Sequence, residues 1–311
     1  MINYLITGGA GFIGSHLVGQ LIEKSNQITV LDNLITGNLK NIEKYKKFSN
    51  FKFIEHDIQE SIYFDEKIDY VIHLASCASP KAYSQYPINT LKSGSIGTIN
   101  ALGIAKKHNA KFFLASTSEV YGDPQVSPQD ENYWGNVNTL GPRSMYDESK
   151  RFAESATKAY MTTHGIHANI ARIFNTYGPN MQIDDGRVVT NFIYQAIKNE
   201  DITIYGNGNQ TRSFSFIEDT LDGLLKVINY KNSDVFNIGS ENEITIKYLA
   251  ETVISLTNSN SKIVYKDIPE DDPKQRKPDL TKAKEQLNYV PRYSLEDGLK
   301  ITIEWIIKTY K

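Results

Sequence analysis

The glycine-rich segment TGGAGFIGSHL constrains the fold more than any other feature of the chain. Its glycines Gly8, Gly11 and Gly14 recur at three-residue spacing, directly after a short apolar strand pattern. Glycines at this spacing allow a tight turn, close approach of backbone N–H groups to a pyrophosphate, and close packing of strand and helix. The positive end of the following helix would face the phosphates. The segment therefore predicts a dinucleotide-binding unit.

The acidic residue Asp32 indicates which dinucleotide would bind. It follows the second predicted strand, where a carboxylate can bind both ribose hydroxyls and repels a 2′-phosphate. NAD is therefore favoured over NADP. Asp57 and Ile58, after the third strand, are expected to flank the adenine, and an ordinary loop carboxylate is the alternative for Asp57. A purely structural turn with an exposed Asp32 is the alternative to a cofactor site.

Short β-branched or aromatic runs alternate with longer amphipathic segments through the first half of the chain. This repetition predicts a parallel sheet with helices on both faces, a Rossmann-like, doubly wound α/β fold. After about residue 175, glycine-rich turns and short strands predict a smaller C-terminal α/β region, with helices at Thr190–Lys198, Glu218–Val227 and Ile246–Thr257. The predicted strands of the first half are Tyr4–Thr7, Ile28–Leu31, Phe51–Glu55, Tyr70–Leu74, Lys111–Ala115 and Ala168–Ile173.

Composition narrows the class of protein. The 311 residues, 40% of them hydrophobic, can bury a large core. A net charge of −2 with mixed signs provides no broad basic field for nucleic acid or an anionic membrane. No apolar run approaches the roughly 20 residues of a membrane span, and the N-terminus lacks a signal-peptide pattern. One cysteine, Cys77, suits a reducing compartment, so a soluble cytoplasmic protein is predicted.

The segment MYDESKRFAE carries candidate chemistry. Tyr146 and Lys150 are four residues apart, so on a helix they share a face. An ammonium beside a phenol favours phenolate, which would let the tyrosine act as a base near neutral pH. Thr117, at the end of a strand, can hydrogen-bond the same substrate oxygen. In isolation the pair would be ordinary surface residues, but with a dinucleotide fold it predicts an alcohol-oxidising site. The six histidines include no persuasive metal-ligand spacing, so no metal is predicted.

These features together resemble the extended short-chain dehydrogenase/reductases that act on nucleotide sugars. The likeness runs nearly end to end and is particularly close to the UDP-glucuronate decarboxylases, also called UDP-xylose synthases. It rests on the segments HLASCASP, LASTSEVYGDP, YWGNVN, GPRSMYDESKR, ARIFNTYGP, DGRVVTNF, YGNGNQTRSF and DDPKQRKPD.

The resemblance implies a redox-neutral decarboxylation. Tyr146 would take the C4 hydroxyl proton of UDP-glucuronate while NAD accepts the C4 hydride, giving a 4-keto sugar that is also a β-keto acid. The ketone acts as an electron sink, so CO₂ leaves. The enolate is protonated at C5, and the returned hydride gives UDP-xylose. Because NAD is regenerated in each cycle, it is expected to stay tightly bound.

Residues 117 to 119 help separate reactions that share this first step. The related 4,6-dehydratases usually have Thr-Asp-Glu here, where the Asp protonates the departing C6 hydroxyl and the Glu removes the C5 proton. This chain has Ser118 in place of that acid, and Ser118 is assigned to substrate binding. Loss of CO₂ needs no acid at C6, so Ser118 argues against dehydration. A 4-epimerase needs no Glu here, whereas Glu119 would orient the sugar or a water near C5.

Arg276, in QRKPD, is the second residue that separates these reactions. By resemblance it reaches the active site and serves either substrate carboxylate binding or C5 protonation. A guanidinium stays protonated at any working pH, so the electrostatic role is favoured. A solvated run of charges is the alternative for this stretch.

The resemblance assigns the remaining contacts. Arg187 and Arg212 are candidates for the diphosphate, because guanidinium matches phosphate geometry, and a surface salt bridge is the alternative for either. Asn175 and Tyr205 would hold the diphosphate and uridine. Lys92 would face the sugar carboxylate, unless it is an exposed helix lysine. The cofactor-binding set is Gly8, Gly11, Phe12, Ile13, Gly14, Asp32, Asn33, Asp57, Ile58, Leu74, Ala75, Tyr146 and Lys150.

The chain also departs from the family pattern at four positions. Gly94 stands where the family usually has Asn, and this change removes a support for the active-site backbone and softens the helix by roughly 1 kcal/mol. Met145 and Ser149 replace a Cys and a Gly beside the catalytic pair, and Cys77 stands where Pro is common. These departures bear on the exact substrate and rate more than on the class of reaction.

The resemblance further implies a homodimer, in which the helix at Ile96–Lys107 and the Tyr146-bearing helix form a four-helix bundle. Some of the apolar residues on these helices must instead face the sheet. The candidate contacts are Ile99, Leu102, Ile104, Phe152, Ala156 and Ala159.

Residues 1–174 are predicted to form the NAD-binding domain that carries the catalytic residues. Residues 175–311 are predicted mainly to bind the nucleotide sugar. A return of the chain to the sheet within this region is compatible with the prediction. The alternative activities are a nucleotide-sugar 4-epimerase or 4,6-dehydratase. A non-catalytic NAD- or nucleotide-sugar-binding protein is a further alternative, against which the intact Thr117, Tyr146 and Lys150 argue.

Overall fold

A computed structural model describes residues 1–267 and 275–310, so residues 271–274, the first four of the segment DDPKQRKPD, lie outside the described part. The described strands β1 to β14 are Asn3–Thr7, Gln27–Asp32, Phe51–Glu55, Tyr70–His73, Lys111–Thr117, Ala168–Ile173, Thr176–Tyr177, Ile202–Tyr205, Thr211–Ser213, Ser215–Phe216, Val235–Ile238, Glu243–Thr245, Ile263–Lys266 and Gln275–Arg276. The described helices α1 to α10 are Phe12–Ile22, Pro80–Gln85, Pro87–Lys92, Thr98–His108, Ser144–His164, Val188–Lys198, Ile217–Ile228, Ile246–Thr257, Thr281–Leu287 and Leu295–Tyr310.

Seven parallel strands form the central sheet, in the order β11-β6-β5-β4-β1-β2-β3. From β1 the chain builds outward to β3, then crosses to β4 on the other side of β1. Ligands of such sheets bind beyond the carboxyl ends of the strands where this reversal occurs. The arrangement confirms the predicted Rossmann-like fold, and β11 adds a strand from the second half of the chain.

The six strands predicted for the first half are confirmed, with small differences at their ends. The fifth strand, β5, continues past Ala115 because Ser116 and Thr117 still pair with Arg172 and Ile173 of β6. The predicted helix Ile246–Thr257 is α8 without change, and the Thr245 hydroxyl caps it by accepting a 3.0 Å hydrogen bond from the Tyr248 amide.

Both faces of the sheet are covered by helices. The consecutive residues Leu5 and Ile6 of β1 are fully buried on opposite faces, as the alternation of a strand requires. Three of the predicted dimer contacts lie in this core instead: Leu102, Ile104 and Ala156 are buried within the chain. These three residues are therefore among the ones that were expected to face the sheet, on which the inner faces of α4 and α5 pack.

A small three-stranded sheet lies beside the main one. Strand β9 pairs antiparallel with β12 and parallel with β14, which places Arg212 and Arg276 at the same register. Two arginines that are distant in sequence are thereby held side by side.

Among the described residues, no helix is both long and apolar enough to cross a membrane.

Candidate active site

The glycine turn after β1 has the close approach that its sequence predicts. Gly8 has a φ of +74°, and a Cβ atom on it would lie 2.7 Å from the Ala75 amide nitrogen. A Cβ atom on Gly14 would come within 2.2 Å of the Gly8 carbonyl oxygen. Helix α1 begins here with Gly11 as its N-cap, and no side chain caps its amide groups. The turn therefore offers bare backbone N–H groups at a helix N-terminus, which fits a bound pyrophosphate.

Asp32 lies at the end of β2, beside this turn. Its two carboxylate oxygens each accept a 2.9 Å hydrogen bond, from the Ala10 and Leu34 amides, and burial raises the pKa of the carboxyl. Each oxygen has a second lone pair, so the held carboxylate can still accept from ribose hydroxyls. Asn33 donates a 3.0 Å hydrogen bond to Asp57, which orients the next loop.

Two adjoining cavities meet at the glycine turn. The smaller one, of about 50 Å³, is lined by Asp32, Asn33, Ile58 and Ala75, among others, and both cavities are lined by Gly8 and Gly11. The larger one has a volume of about 710 Å³. Its lining includes most of the remaining predicted site residues: Phe12, Ile13, Gly14, Leu74, Thr117, Ser118, Glu119, Tyr146, Lys150, Asn175, Arg187, Tyr205, Arg212 and Arg276.

Thr117, Tyr146 and Lys150 come together at the end of β5. Lys150 donates a 2.8 Å hydrogen bond from Nζ to the Ala115 carbonyl, and its nitrogen lies 6.0 Å from the centre of the Tyr146 ring. All three predicted side chains are buried. The hydroxyl of Thr117 also hydrogen-bonds Tyr146. The predicted constellation therefore exists as a buried group of three.

The pKa of Tyr146 differs in direction from the sequence prediction, and the pKa of Lys150 is also shifted. Burial, and next the negative charge of Glu119, raise the pKa of Tyr146 above its ordinary value, although the hydrogen bond from Thr117 opposes them. Burial lowers the pKa of Lys150 to about 8, against the opposing effect of Glu154. The expectation that Lys150 brings Tyr146 near neutrality was therefore wrong for the protein alone. Spacing on a helix does not reveal how deeply both groups are buried.

Glu119 follows β5 in the short helical turn Ser118–Tyr121 and is held by two arginines. One of its oxygens pairs with Arg276 and the other with Arg143. Burial raises the pKa of this carboxyl, but the two guanidinium groups more than offset the effect, so the pKa lies below its ordinary value. Glu119 is therefore an anion, unsuited to donating a proton at neutral pH.

The remaining arginines line the large cavity while keeping partners in the protein. Arg187 lies 3.4 Å from the Asp185 carboxylate and donates a 3.2 Å hydrogen bond to the Ala78 carbonyl. Arg212 donates a 2.8 Å hydrogen bond to the Thr211 carbonyl. For Arg187 the salt bridge and the cavity position coexist, so the alternatives that the sequence left open for this residue are not exclusive.

Two predicted contacts lie apart from both cavities. Lys92 is exposed at the end of α3 and does not line either one. Asp57 also lines neither, and its carboxylate accepts hydrogen bonds from Asn33 and from the Gln59 amide. Cys77 is buried and lines the smaller cavity, and burial raises the pKa of its thiol.

Sequence reasoning missed three residues of this site. Arg143 and Tyr83 line the large cavity, and the Tyr83 ring stacks on Tyr146 with 5.4 Å between centroids. Asp147 directly follows Tyr146 and is buried, and its Oδ1 has no hydrogen-bond partner among the described residues. The available signal was position: Arg143 lies three residues before Tyr146, and Asp147 directly follows it.

Two departures from the family pattern lie in contact with each other. Gly94 is in the π-helical turn Ser93–Gly97, and a Cβ atom on it would come within 2.6 Å of the Ser149 Cβ. Ser149 stands where the family usually has Gly, and Gly94 where it usually has Asn. In this chain the side chain that occupies the shared space therefore comes from α5.

A dinucleotide turn joined to a buried Thr, Tyr and Lys set defines an extended short-chain dehydrogenase/reductase of the nucleotide-sugar type. The family model described as GDP-mannose 4,6 dehydratase matches residues 5–302, and the chain belongs to this family. Over 304 residues it is 48% identical to UDP-glucuronic acid decarboxylase 1 of Xenopus tropicalis, covering 98% of this chain and 72% of that protein.

Solved structures agree with this placement. UDP-glucose 4-epimerase of Thermotoga maritima, with UDP-glucose, has a TM-score of 0.92 and 31% identity, over 100% of both chains. UDP-glucuronic acid 4-epimerase of Bacillus cereus, in complex with UDP-glucuronic acid and NAD, has a TM-score of 0.89 and 27% identity, over 99% of this chain and 100% of that one.

Proposed function

We propose that the chain is an NAD-dependent UDP-glucuronate decarboxylase that forms UDP-xylose through a 4-keto intermediate. The observation that carries this proposal is the buried pair of Glu119 and Arg276 in the same cavity as Thr117, Tyr146 and Lys150. UDP-glucuronate carries a carboxylate on C5, and we assign the Arg276 guanidinium to bind it beside the group that oxidises C4. The likeness to relatives named UDP-glucuronic acid decarboxylase supports the same reaction.

Four side chains of the protein have separate roles in this proposed reaction. Bound NAD⁺ supplies the reversible acceptance of the C4 hydride. Tyr146 holds and moves the C4 hydroxyl proton at its phenolic oxygen, and Thr117 orients that oxygen. The Lys150 ammonium, anchored on the Ala115 carbonyl, stabilises negative charge on the phenol. Arg276, fixed by Glu119 and by a 2.8 Å hydrogen bond to the Gly122 carbonyl, holds negative charge near C5.

Residue 118 supports decarboxylation over dehydration. Ser118 is buried between Thr117 and Glu119 and has no acidic group to protonate a departing C6 hydroxyl. Glu119 keeps its charge because two guanidinium groups pair with it, so it does not substitute as that acid.

A 4-epimerase is the second candidate, because epimerases share the fold with high structural similarity. An epimerase must let the keto sugar rotate and present its other face. The 48% identity to a relative named UDP-glucuronic acid decarboxylase, against 31% and 27% to the two epimerases, favours loss of CO₂ over rotation.

The test is to incubate the purified protein with UDP-glucuronate and follow CO₂ release and the sugar product by NMR. UDP-xylose with stoichiometric CO₂ is the expected result. UDP-galacturonate without CO₂ would establish epimerisation instead, and an inert UDP-glucuronate would refute both. Conversion of UDP-glucose or dTDP-glucose to a 4-keto-6-deoxy sugar would indicate dehydration.

We further propose that the protein is a cytoplasmic homodimer. Its single cysteine supports a reducing compartment. Two neighbouring helices also expose apolar side chains. On and just after α3 these are Ile88 (60% exposed), Leu91 (40%) and Ile96 (46%), and on α5 it is Phe152 (45%). Apolar side chains on neighbouring helices support burial in a four-helix bundle. Light scattering should give the mass of a dimer, and Phe152→Glu should shift it toward the monomer, whereas Lys158→Glu on the same helix should not.

A further inference from the structure

The tyrosine assigned as the base is stacked against a second buried tyrosine from another helix. The rings of Tyr83, on α2, and Tyr146, on α5, have planes only 15° apart, with 5.4 Å between their centroids. Both residues are buried, and both line the large cavity. Offset stacking of aromatic rings is favourable beyond the burial of their area, and it favours particular relative orientations of the two rings. The stack therefore restrains the Tyr146 side chain from outside its own helix.

This restraint matters because the reacting atom of Tyr146 is at the far end of its side chain. A small rotation of the ring about χ1 moves the phenolic oxygen farther than any other atom of that side chain. Misplacing a reacting group by about 1 Å can cost about 10²-fold in rate. Lys150 is anchored on the Ala115 carbonyl by its 2.8 Å hydrogen bond, and its nitrogen lies 6.0 Å from the centre of the Tyr146 ring. The lysine is therefore held by β5, and its described hydrogen bond does not restrain the ring.

We propose that Tyr83 is a positioning residue for the base. Its ring holds the phenolic oxygen of Tyr146 at the place where Thr117 hydrogen-bonds it and where a substrate hydroxyl gives up its proton. The contact is made between the two rings, so the hydroxyl of Tyr83 is not needed for it. This inference rests on the proposed function only for the step that oxidises C4.

Helix α2 holds the backbone of Tyr83 independently of α5. The Ser79 hydroxyl caps α2 by accepting a 3.3 Å hydrogen bond from the Ala82 amide. The Tyr83 amide donates a 3.0 Å hydrogen bond to the Ser79 carbonyl, and the Lys81 amide donates one of 3.3 Å to the Asp185 carbonyl. The ring that stacks on Tyr146 is thus fixed by its own helix cap and by the segment between β7 and α6.

The charge state of Tyr83 also suits a neighbour of a base. Burial raises the pKa of its phenol to about 12, although the charge of Arg143 opposes this effect. The phenol is therefore neutral at neutral pH. It places no further negative charge beside Tyr146 when that residue is ionised.

The experiment compares the turnover of UDP-glucuronate by variants of the NAD-loaded protein. Tyr83→Leu removes the stacked ring and should lower turnover about tenfold or more. Tyr83→Phe keeps the ring, so its turnover should stay within about threefold of the parent protein. Tyr86→Leu is the matched control, because it makes the same substitution directly after α2 at a side chain that is 36% exposed. It should leave turnover unchanged.

Substrate affinity separates positioning from a direct contact with the sugar. In NAD-loaded protein carrying Tyr146→Phe, calorimetry gives the dissociation constant of UDP-glucuronate with and without Tyr83→Leu. We expect a change of less than about threefold, because the base that Tyr83 positions is already absent. A loss of affinity of about tenfold or more would overturn the proposal in favour of a sugar contact. Equal losses of turnover in Tyr83→Phe and Tyr83→Leu, or no loss in either, would overturn it as well.

Two further measures keep these outcomes interpretable. If Tyr83→Leu does not fold, as judged by NAD content and melting temperature, Tyr83→Met replaces it and should show the same loss of turnover. If the parent protein does not convert UDP-glucuronate, the proposed function is refuted, and the comparison is repeated with UDP-glucose or dTDP-glucose, because C4 oxidation is the step that the alternative reactions share. A parent protein that oxidises none of these sugars would overturn both proposals.

Discussion

Gly94 lies so close to Ser149 that a Cβ atom on the glycine would come within 2.6 Å of the serine Cβ and 2.7 Å of its hydroxyl. The two positions share one space between α5 and the π-helical turn. A side chain at one therefore requires the near absence of a side chain at the other.

This contact predicts strong coupling between the two positions. Gly94→Asn alone should lower the free energy of unfolding by about 1–3 kcal/mol, as overpacking does. Adding Ser149→Gly should recover much of that loss, although a helical glycine itself costs up to about 1 kcal/mol. Urea unfolding of the two single variants and the double variant gives the coupling energy. Additive effects would contradict the shared-space explanation.

Removal of the Tyr146 hydroxyl tests the base. Tyr146→Phe should keep its bound NAD, because the ring and its stacking on Tyr83 remain. Turnover should fall by about 10²- to 10⁴-fold, the usual range for a lost acid–base group. Absorbance of bound cofactor and the rate of CO₂ release measure the two effects. Tyr160→Phe, farther along the same helix, should leave both unchanged, and near-normal turnover of Tyr146→Phe would refute the assignment.

The lowered pKa of Lys150 predicts an alkaline limit to activity. Its pKa of about 8 means that the ammonium loses its proton as the pH rises through 8, so turnover should decline there. Glu154 favours the charged form, so Glu154→Gln should move the decline to lower pH by roughly 0.5 unit.

Rates between pH 6 and 10 check this shift. Ser116→Ala is the matched control, because it removes the 2.5 Å hydrogen bond to Glu154 while the carboxylate charge stays. The alkaline decline of Ser116→Ala should remain at its wild-type pH. An unmoved decline in Glu154→Gln would show that Glu154 does not act on Lys150.

Asp147 predicts a pH-dependent stability. Burial, and next Glu119, raise its pKa to about 7 in the folded state, against 3.8 for the ordinary carboxyl. Between pH 4 and 7 the folded state binds more protons than the unfolded state, so stability is lost as the pH rises through this window. Asp147→Asn should therefore raise the free energy of unfolding at pH 8, by roughly 1–3 kcal/mol, and much less at pH 5.

Denaturant unfolding at the two pH values measures this difference. Glu148→Gln is the control. The Glu148 side chain is 35% exposed, and its ion pair with Arg151 is long, at 3.8 Å, so little stability depends on its charge. It should change stability little at either pH. A pH-independent gain in Asp147→Asn would contradict titration of the buried carboxyl.

The features that the sequence predicted well are local ones. The glycine turn, the Asp32 position and the strand–helix alternation each depend on residues within one supersecondary unit, and the structure has them as expected. The spacing of Tyr146 and Lys150 on one helix is equally local. Such patterns survive folding because the constraint acts between neighbours in the chain.

The missed features depend on contacts that no local pattern contains. Arg143 looks like an ordinary charge before a helix until the turn after β5 brings Glu119 to it. Asp147 looks exposed until α5 packs and buries it. The same burial raised the pKa of Tyr146 when spacing alone predicted the opposite direction. In each case the deciding quantity was desolvation, which depends on tertiary packing.

The pairing of Arg276 with Glu119 also sets the order in which the site can be completed during synthesis. Gly8, Thr117, Tyr146 and Lys150 all leave the ribosome well before β14, the strand that carries Arg276. A nascent chain therefore possesses the groups that oxidise an alcohol while it still lacks the guanidinium that holds Glu119 from the other side. Arg276, to which we assign the substrate carboxylate, is thus synthesised after every other member of this group.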